Sequence, residues 1–229
     1  MVELRVNALT NCNFIRSITL SHGLTEIREG TFYMCRNLET VVIPETVTKI
    51  GRDAFACTGL KSIILPDGLT EIGEDTFYEC CNLESVVIPE TVTKIGPYVF
   101  AYSGLKSITL PGGRLTEIGE KAFYKCSNLE NIIIPDSVTK IGPGAFTWSR
   151  LKSIILPDGL TEIEEDTFYG CYNLESIIIP DTVTKIGPGA FAESGLKSIT
   201  LPHGLTEIGN NAFFCCRNLV IEILPMLNN

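Results

Sequence analysis

The sequence predicts an α/β-type repeat solenoid, and three observations carry that prediction. A four-residue segment, "LTEI" or "VTKI", recurs at spacings of 22 or 23 residues, starting at Leu24, Val47, Leu69, Val92, Leu115, Val138, Leu160, Val183 and Leu205. A Pro closes a short apolar stretch at the same place in successive units, and a Phe stands at a fixed offset behind each segment. A unit this short cannot bury an apolar face alone, so it must pack on the units before and after it. Residues 1–229 are therefore read as one solenoid of about nine repeats, with 1–23 an N-terminal partial repeat and 206–229 the terminal repeat.

Two unit types alternate, "LTEIGEDTFYECCNLESVVIPET" from Leu69 and "VTKIGPGAFAESGLKSITLPHG" from Val183. The second is one residue shorter between its Phe and its strand Leu, and Gly112-Gly113-Arg114 adds one residue to a single turn. In "NLESVVIP", Leu83, Val86 and Ile88 have the spacing of a strand face turned inward. Pro lacks an N–H for a ladder and fixes its own φ, so Pro89 ends the strand. Pro44, Pro66, Pro111, Pro135, Pro157, Pro180, Pro202 and Pro225 repeat that stop, and stacked coils then build one long parallel sheet.

The return side is less regular. In "VTKIGPGAF", Val183 and Ile186 point inward, the chain turns at Gly187-Pro188-Gly189, and Phe191 is planted in the core. Nine of the eleven Phe fall in this column, which predicts a buried stack. Three residues on comes a column of Cys35, Cys80, Cys126, Cys171 and Cys216, with Cys12 at the matching N-terminal place. Cys57 is read as filling the equivalent place in a short unit, where Tyr102, Trp148 and Glu193 stand in the others. The nine cysteines are read as reduced, mostly buried thiols acting as small hydrophobes.

The pattern "LxxIxxxxFxxCxxLxxIxIPxxVxxI" resembles the leucine-rich repeats of the Treponema pallidum type, found in BspA-like bacterial surface proteins, and covers Cys12 to Pro225. The resemblance implies a curved leucine-rich-repeat solenoid with a parallel β-sheet on the concave face and irregular or short helical segments on the convex side. It implies adhesion to host or matrix proteins, at the cell surface or after secretion. Residues 1–14 show no apolar core of an export signal, and reduced thiols fit a cytoplasmic protein.

Composition excludes several functions. A net charge of −9 with no Lys/Arg cluster argues against nucleic acid, and apolar runs of three or four residues exclude a membrane-inserted helix. His22 and His203 lie 181 residues apart, and the vicinal Cys80–Cys81 and Cys215–Cys216 do not make a tetrahedral set, so no metal or other cofactor is expected. "GPGAF" at Gly142 and Gly187 lacks the Lys-Ser/Thr of a phosphate loop. Carboxylates stand in open columns rather than sheltered pairs, and no inserted loop gathers a nucleophile and base, so the chain is not expected to be an enzyme.

Charge alternates along two columns. After the strand Leu the order is Arg16, Glu39, Lys61, Glu84, Lys106, Glu130, Lys152, Glu175, Lys197; within "LTEI/VTKI" it is Glu26, Lys49, Glu71, Lys94, Glu117, Lys140, Glu162, Lys185, Glu207. At strand spacing of about 4.8 Å alternation replaces repulsion with attraction and penalises a one-repeat slip. A third column, Glu45, Asp67, Glu90, Asp136, Asp158 and Asp181, follows the Pro and is interrupted by Gly112 and His203. It has the charge to draw Ca²⁺ or a basic partner, but no loop gathers six oxygens, and Asp after Pro suits a turn.

The outward strand positions are the candidate site. Ser85, Ser153 and Ser176 belong to a small polar column, and beside it run Thr19, Val42, Ile64, Val87, Thr109, Ile133, Ile155, Ile178 and Thr200. Two readings of the Val/Ile stripe stand side by side. Strand propensity favours β-branched residues, and a long exposed apolar stripe marks a partner or self-association surface. Ile133, Ile155 and Ile178 are consecutive and point to the C-terminal half. The expected function is a non-enzymatic scaffold binding a protein partner on the concave sheet, adhesin-like by resemblance. The alternatives are a structural protein self-associating through the stripe or the solenoid ends, and a binder of a small apolar ligand where the stacking is broken. In "NLVIEILP", Glu222 falls at the inward Val86 place, so that strand is expected to be shifted, distorted or terminal. Neither end shows a polar cap, and Met1 to Leu9 matches no complete unit.

Overall fold

The structure, a computed structural model, describes residues 4–223; Pro225 and the extremes of the two terminal repeats lie outside the described residues. Each coil carries two short strands rather than one. The first ladder contains Ser17–Thr19, Thr40–Val42, Ser85–Val87, Ser107–Thr109, Asn131–Ile133, Ser153–Ile155, Ser176–Ile178, Ser198–Leu201 and Val220–Ile223. The second is built from the "LTEI/VTKI" segments, from Glu26–Ile27 and Lys49–Ile50 to Glu207–Ile208. Every pairing is parallel. The expected single long sheet is divided: the first ladder falls into groups of two, two and five strands, the second into three groups of three. At the coil of Ile64 the first ladder is reduced to one bridge, Ser62 to Ser85.

In seven coils the Pro after the apolar stretch accepts the bond of a tight turn, as Val47 N–H donates to Pro44 O at 3.0 Å and Val92 N–H to Pro89 O at 3.1 Å. That turn aims the next "LTEI/VTKI" segment along the second ladder. Glycine follows the Ile because coil backbones approach closely there; a Cβ on Gly142 would lie 2.7 Å from Glu120 N.

The described residues contain no helix, which corrects the expected short helical segments. The arc holding the Phe is a run of turns in which successive N–H groups go different ways. Asp53, Phe55 and Cys57 donate to Glu74, Thr76 and Tyr78 of the next coil at 3.0, 3.0 and 2.7 Å, while Ala54 and Ala56 donate within their own coil. A helix needs every N–H for its own i−4 carbonyl, so sending alternate ones to a neighbour forbids it. Two left-handed residues, four apart, flank each Phe, as with Asp53 and Cys57 (φ 53° and 57°) or Lys121 and Lys125 (49° and 53°). Asn7 and Asn11 (57° and 58°) flank Leu9 in the same way, so the segment expected to match no unit supplies one more arc. Thr10 Oγ1 donates to Gly30 O at 2.8 Å and Asn37 Nδ2 to Asn13 O at 2.6 Å, tying this arc to the coil after it.

The core is a set of columns. Phe32 to Phe191 are fully buried, and rings from Phe32 to Phe213 stack 5.3 to 5.7 Å apart, within 11° of parallel. Offset stacking suits the ring quadrupole, and coil translation imposes one orientation on all of them.

The thiol column also differs from expectation. Cys57 occupies a left-handed turn position one residue before the column. The short coils fill the column itself with Thr58, Ser103, Ser149 and Ser194, all buried. Each contacts the thiol of the next coil, as Ser103 with Cys126 at 3.4 Å and Thr58 with Cys80 at 3.3 Å. The thiols donate to carbonyls, Cys80 to Phe55 O and Cys126 to Phe100 O, both at 3.1 Å. Burial pushes Cys80, Cys126 and Cys171 up to about 12, so they remain protonated. No disulfide is present among the described residues.

Candidate interaction surface

The first ladder sets the geometry of its outer face. Val86, Ile132, Ile154 and Ile177 turn into the core, so the residues after them turn out. Val42, Ile64, Val87, Ile133, Ile155 and Ile178 are 58 to 85% exposed, while Ser85, Ser153 and Ser176 are exposed beside them. Ile133 pairs with Ile155, and Ile155 with Ile178, placing three Ile on adjacent strands.

Thr shares the stripe's column with Val and Ile. Thr109 and Thr200 stand in the same column and pair in register with Val87 and Ile178. Ile64 stands in the coil where the ladder is weakest. Thr, Val and Ile are all β-branched and suit a strand, so what differs between coils is the apolar character of the exposed side chain.

The stripe and the Ser column are bordered by the alternating charges, which resolve into discrete pairs. On the first ladder each Lys reaches back one coil: Lys61 to Glu39 and Lys152 to Glu130 at 2.6 Å, Lys106 to Glu84 at 2.7 Å, Lys197 to Glu175 at 2.8 Å. On the second, Lys49 and Lys185 reach forward to Glu71 and Glu207 at 2.9 and 3.0 Å, and Glu117 lies between Lys94 at 2.7 Å and Lys140 at 3.8 Å. Hydrogen bonds from Lys61, Lys94 and Lys152 hold Glu39, Glu117 and Glu130 below the usual carboxylate range. These are exposed pairs screened by solvent, so they set register more than stability.

No group of three or more His, Cys, Asp or Glu is placed to hold a metal among the described residues, and no helix is long and apolar enough to cross a membrane. The last described strand has moved by one residue: Glu222 pairs with Thr200 and so lies in the outward column, not the inward one. The slip follows left-handed Asn218 (φ 71°) and spares the core a carboxylate. Sequence reasoning missed an aromatic row on the turn arc, where Tyr102 meets Tyr78 and Tyr124 edge-on at 5.5 and 5.2 Å and Lys125 lies over Tyr102 and Tyr124. Its trace in the sequence is the Tyr that follows the Phe in alternate coils, Tyr33, Tyr78, Tyr124 and Tyr169.

A family described as BspA type Leucine rich repeat region matches residues 2–126 and 116–226, in six copies. The chain belongs to the BspA-type leucine-rich repeat family. Solved structures agree. A leucine-rich repeat protein from Bacteroides ovatus is 28% identical with a TM-score of 0.61, over 97% of this chain and 76% of that one. A leucine rich cell surface protein from Faecalibacterium prausnitzii is 28% identical with a TM-score of 0.60, over 96% of this chain and 63% of its own. The T. pallidum leucine rich repeat protein is 31% identical with a TM-score of 0.53, over 78% of this chain and 76% of that one. The curated proteins gave no match. This BspA-type chain is thus a leucine-rich repeat scaffold of parallel strands, of the kind common in protein-interaction proteins.

Proposed function

We propose that the chain is a non-enzymatic protein–protein interaction scaffold, adhesin-like in role, that takes a protein partner on the outer face of its first ladder. The observation that carries this is the exposed stripe from Val42 to Ile178, apolar in six coils although Thr builds the same strand in others. Exposed apolar area beyond what a monomer needs is the usual mark of a contact surface. The cell-surface description of the F. prausnitzii relative supports the location.

The test compares the wild type with the triple variant Ile133→Thr, Ile155→Thr, Ile178→Thr on an array of host extracellular-matrix and plasma proteins. Capture of a defined protein by the wild type and its loss in the variant is expected; the same captures by both would refute the outer-face reading. Self-association is the second reading, favoured by Ile208, Phe214 and Val220, which are exposed at the C-terminal end of the described stack. Light scattering decides between them: a strict monomer supports the scaffold, and concentration-dependent growth supports self-association.

A further inference from the structure

The six coils that present Val or Ile on the outer face are the same six that carry a carboxylate three residues later. Val42 goes with Glu45, Ile64 with Asp67 and Val87 with Glu90. Ile133 goes with Asp136, Ile155 with Asp158 and Ile178 with Asp181. The coils with Thr19, Thr109 and Thr200 carry His22, Gly112 and His203 instead. The two properties occur together and lapse together at Thr109 and Gly112, which divides the outer face into two patches of three rungs.

The turn does not require the acid. Leu205 N–H donates to Pro202 O across His203 at 3.2 Å, much as Val183 N–H donates to Pro180 O across Asp181 at 3.0 Å. All six carboxylates are exposed, and none takes part in an ion pair among the described residues, unlike all but Glu162 of the Glu in the two alternating columns. In the second patch a cleft of about 350 Å³ joins both columns, lined by Ile178 and Thr200 together with Asp158 and Asp181.

We propose that each patch docks the apolar and basic face of an amphipathic helix from another protein. The proposal rests on the outer-face reading above and names the partner's chemistry. Rungs about 4.8 Å apart match the mean step of about 5.3 Å between apolar residues along one helix face, whereas same-face residues of an extended segment are about 6.7 Å apart. The stripe also lies on a sheet face rather than an edge. An extended segment there would leave its backbone N–H groups without partners, while a helix satisfies its own. Six carboxylates without internal cations select Lys or Arg on the flank of that helix, and oppose an acidic one.

The test uses a lactam-stapled fourteen-residue Leu/Lys amphipathic helix, about 21 Å long and sufficient to cover one patch, titrated calorimetrically at low salt and at about 200 mM salt. Two helices per chain are expected, with affinity falling as salt rises, and a stapled Leu/Glu helix of the same design is expected not to bind. The variant Asp136→Asn, Asp158→Asn, Asp181→Asn should weaken one of the two sites at least tenfold, and Ile133→Thr, Ile155→Thr, Ile178→Thr should remove that same site. Circular dichroism confirms that both variants remain folded. The proposal is overturned if the Leu/Lys helix does not bind, if the Leu/Glu helix binds equally, or if the Asn variant keeps two full-strength sites. In that last case loss of a site in the Thr variant leaves the outer-face reading standing, whereas two intact sites in both variants remove it as well.

Discussion

The two ladders share a core and a parallel geometry but present opposite outer faces. The second, from Glu26–Ile27 to Glu207–Ile208, shows Thr and a Glu or Lys to solvent on every coil. The first shows Val or Ile on six. Because the polar ladder pairs as regularly as the other, an apolar outer face is not a condition for stacking coils. Charge pairs run along both ladders, and the exposed Val and Ile are what distinguish the first.

Three measurements test that contrast, beginning with the shared interior. Cys80, Cys126 and Cys171 titrate near 12 in the folded state, against an ordinary value of 9.0. Their folded pKa is raised, so their contribution is intact below pH 9 and is lost as pH rises toward about 12, by up to about 1.4 kcal/mol per pH unit per thiol. The urea midpoint should fall steeply above pH 9, and a flat profile to pH 11 would contradict buried thiols. In the native protein the exposed Cys81 and Cys215 should react with a thiol reagent well before these three.

Next in size is a truncation under both ladders set against one on the surface. Phe123→Ala, in the middle of the ring stack, should cost about 3–5 kcal/mol in denaturant unfolding. Ile155→Thr, on the outer face, should change stability by less than about 0.5 kcal/mol. If Ile155→Thr cost as much as Phe123→Ala, the stripe would be part of the fold and not a surface.

The smallest effect separates the charge columns. Glu117 faces two lysines and Glu130 one close partner. Glu117→Gln should therefore lower the melting temperature more than Glu130→Gln, both effects being small and smaller still at high salt. Since both carboxylates titrate low when folded, that contribution is present above about pH 4.3 and fades as pH falls through their folded values. Melting temperatures at pH 3 and pH 6 in low salt would show it.

The sequence alone determined the solenoid, the Phe column, the Pro stops, the alternating charges and the exposed Val/Ile column, because a coil that touches only its neighbours writes its contacts into a fixed period. Only the tertiary structure decided four matters. These are the second ladder, the turn arc in place of helices, the Ser–Cys column in which Thr58 rather than Cys57 faces Cys80, and the slip that puts Glu222 outside. Each depends on a hydrogen bond or backbone angle whose partner is a whole coil away in sequence. Local propensity reads a few residues at a time, and it cannot see that alternate N–H groups along "TFYEC" belong to the next coil.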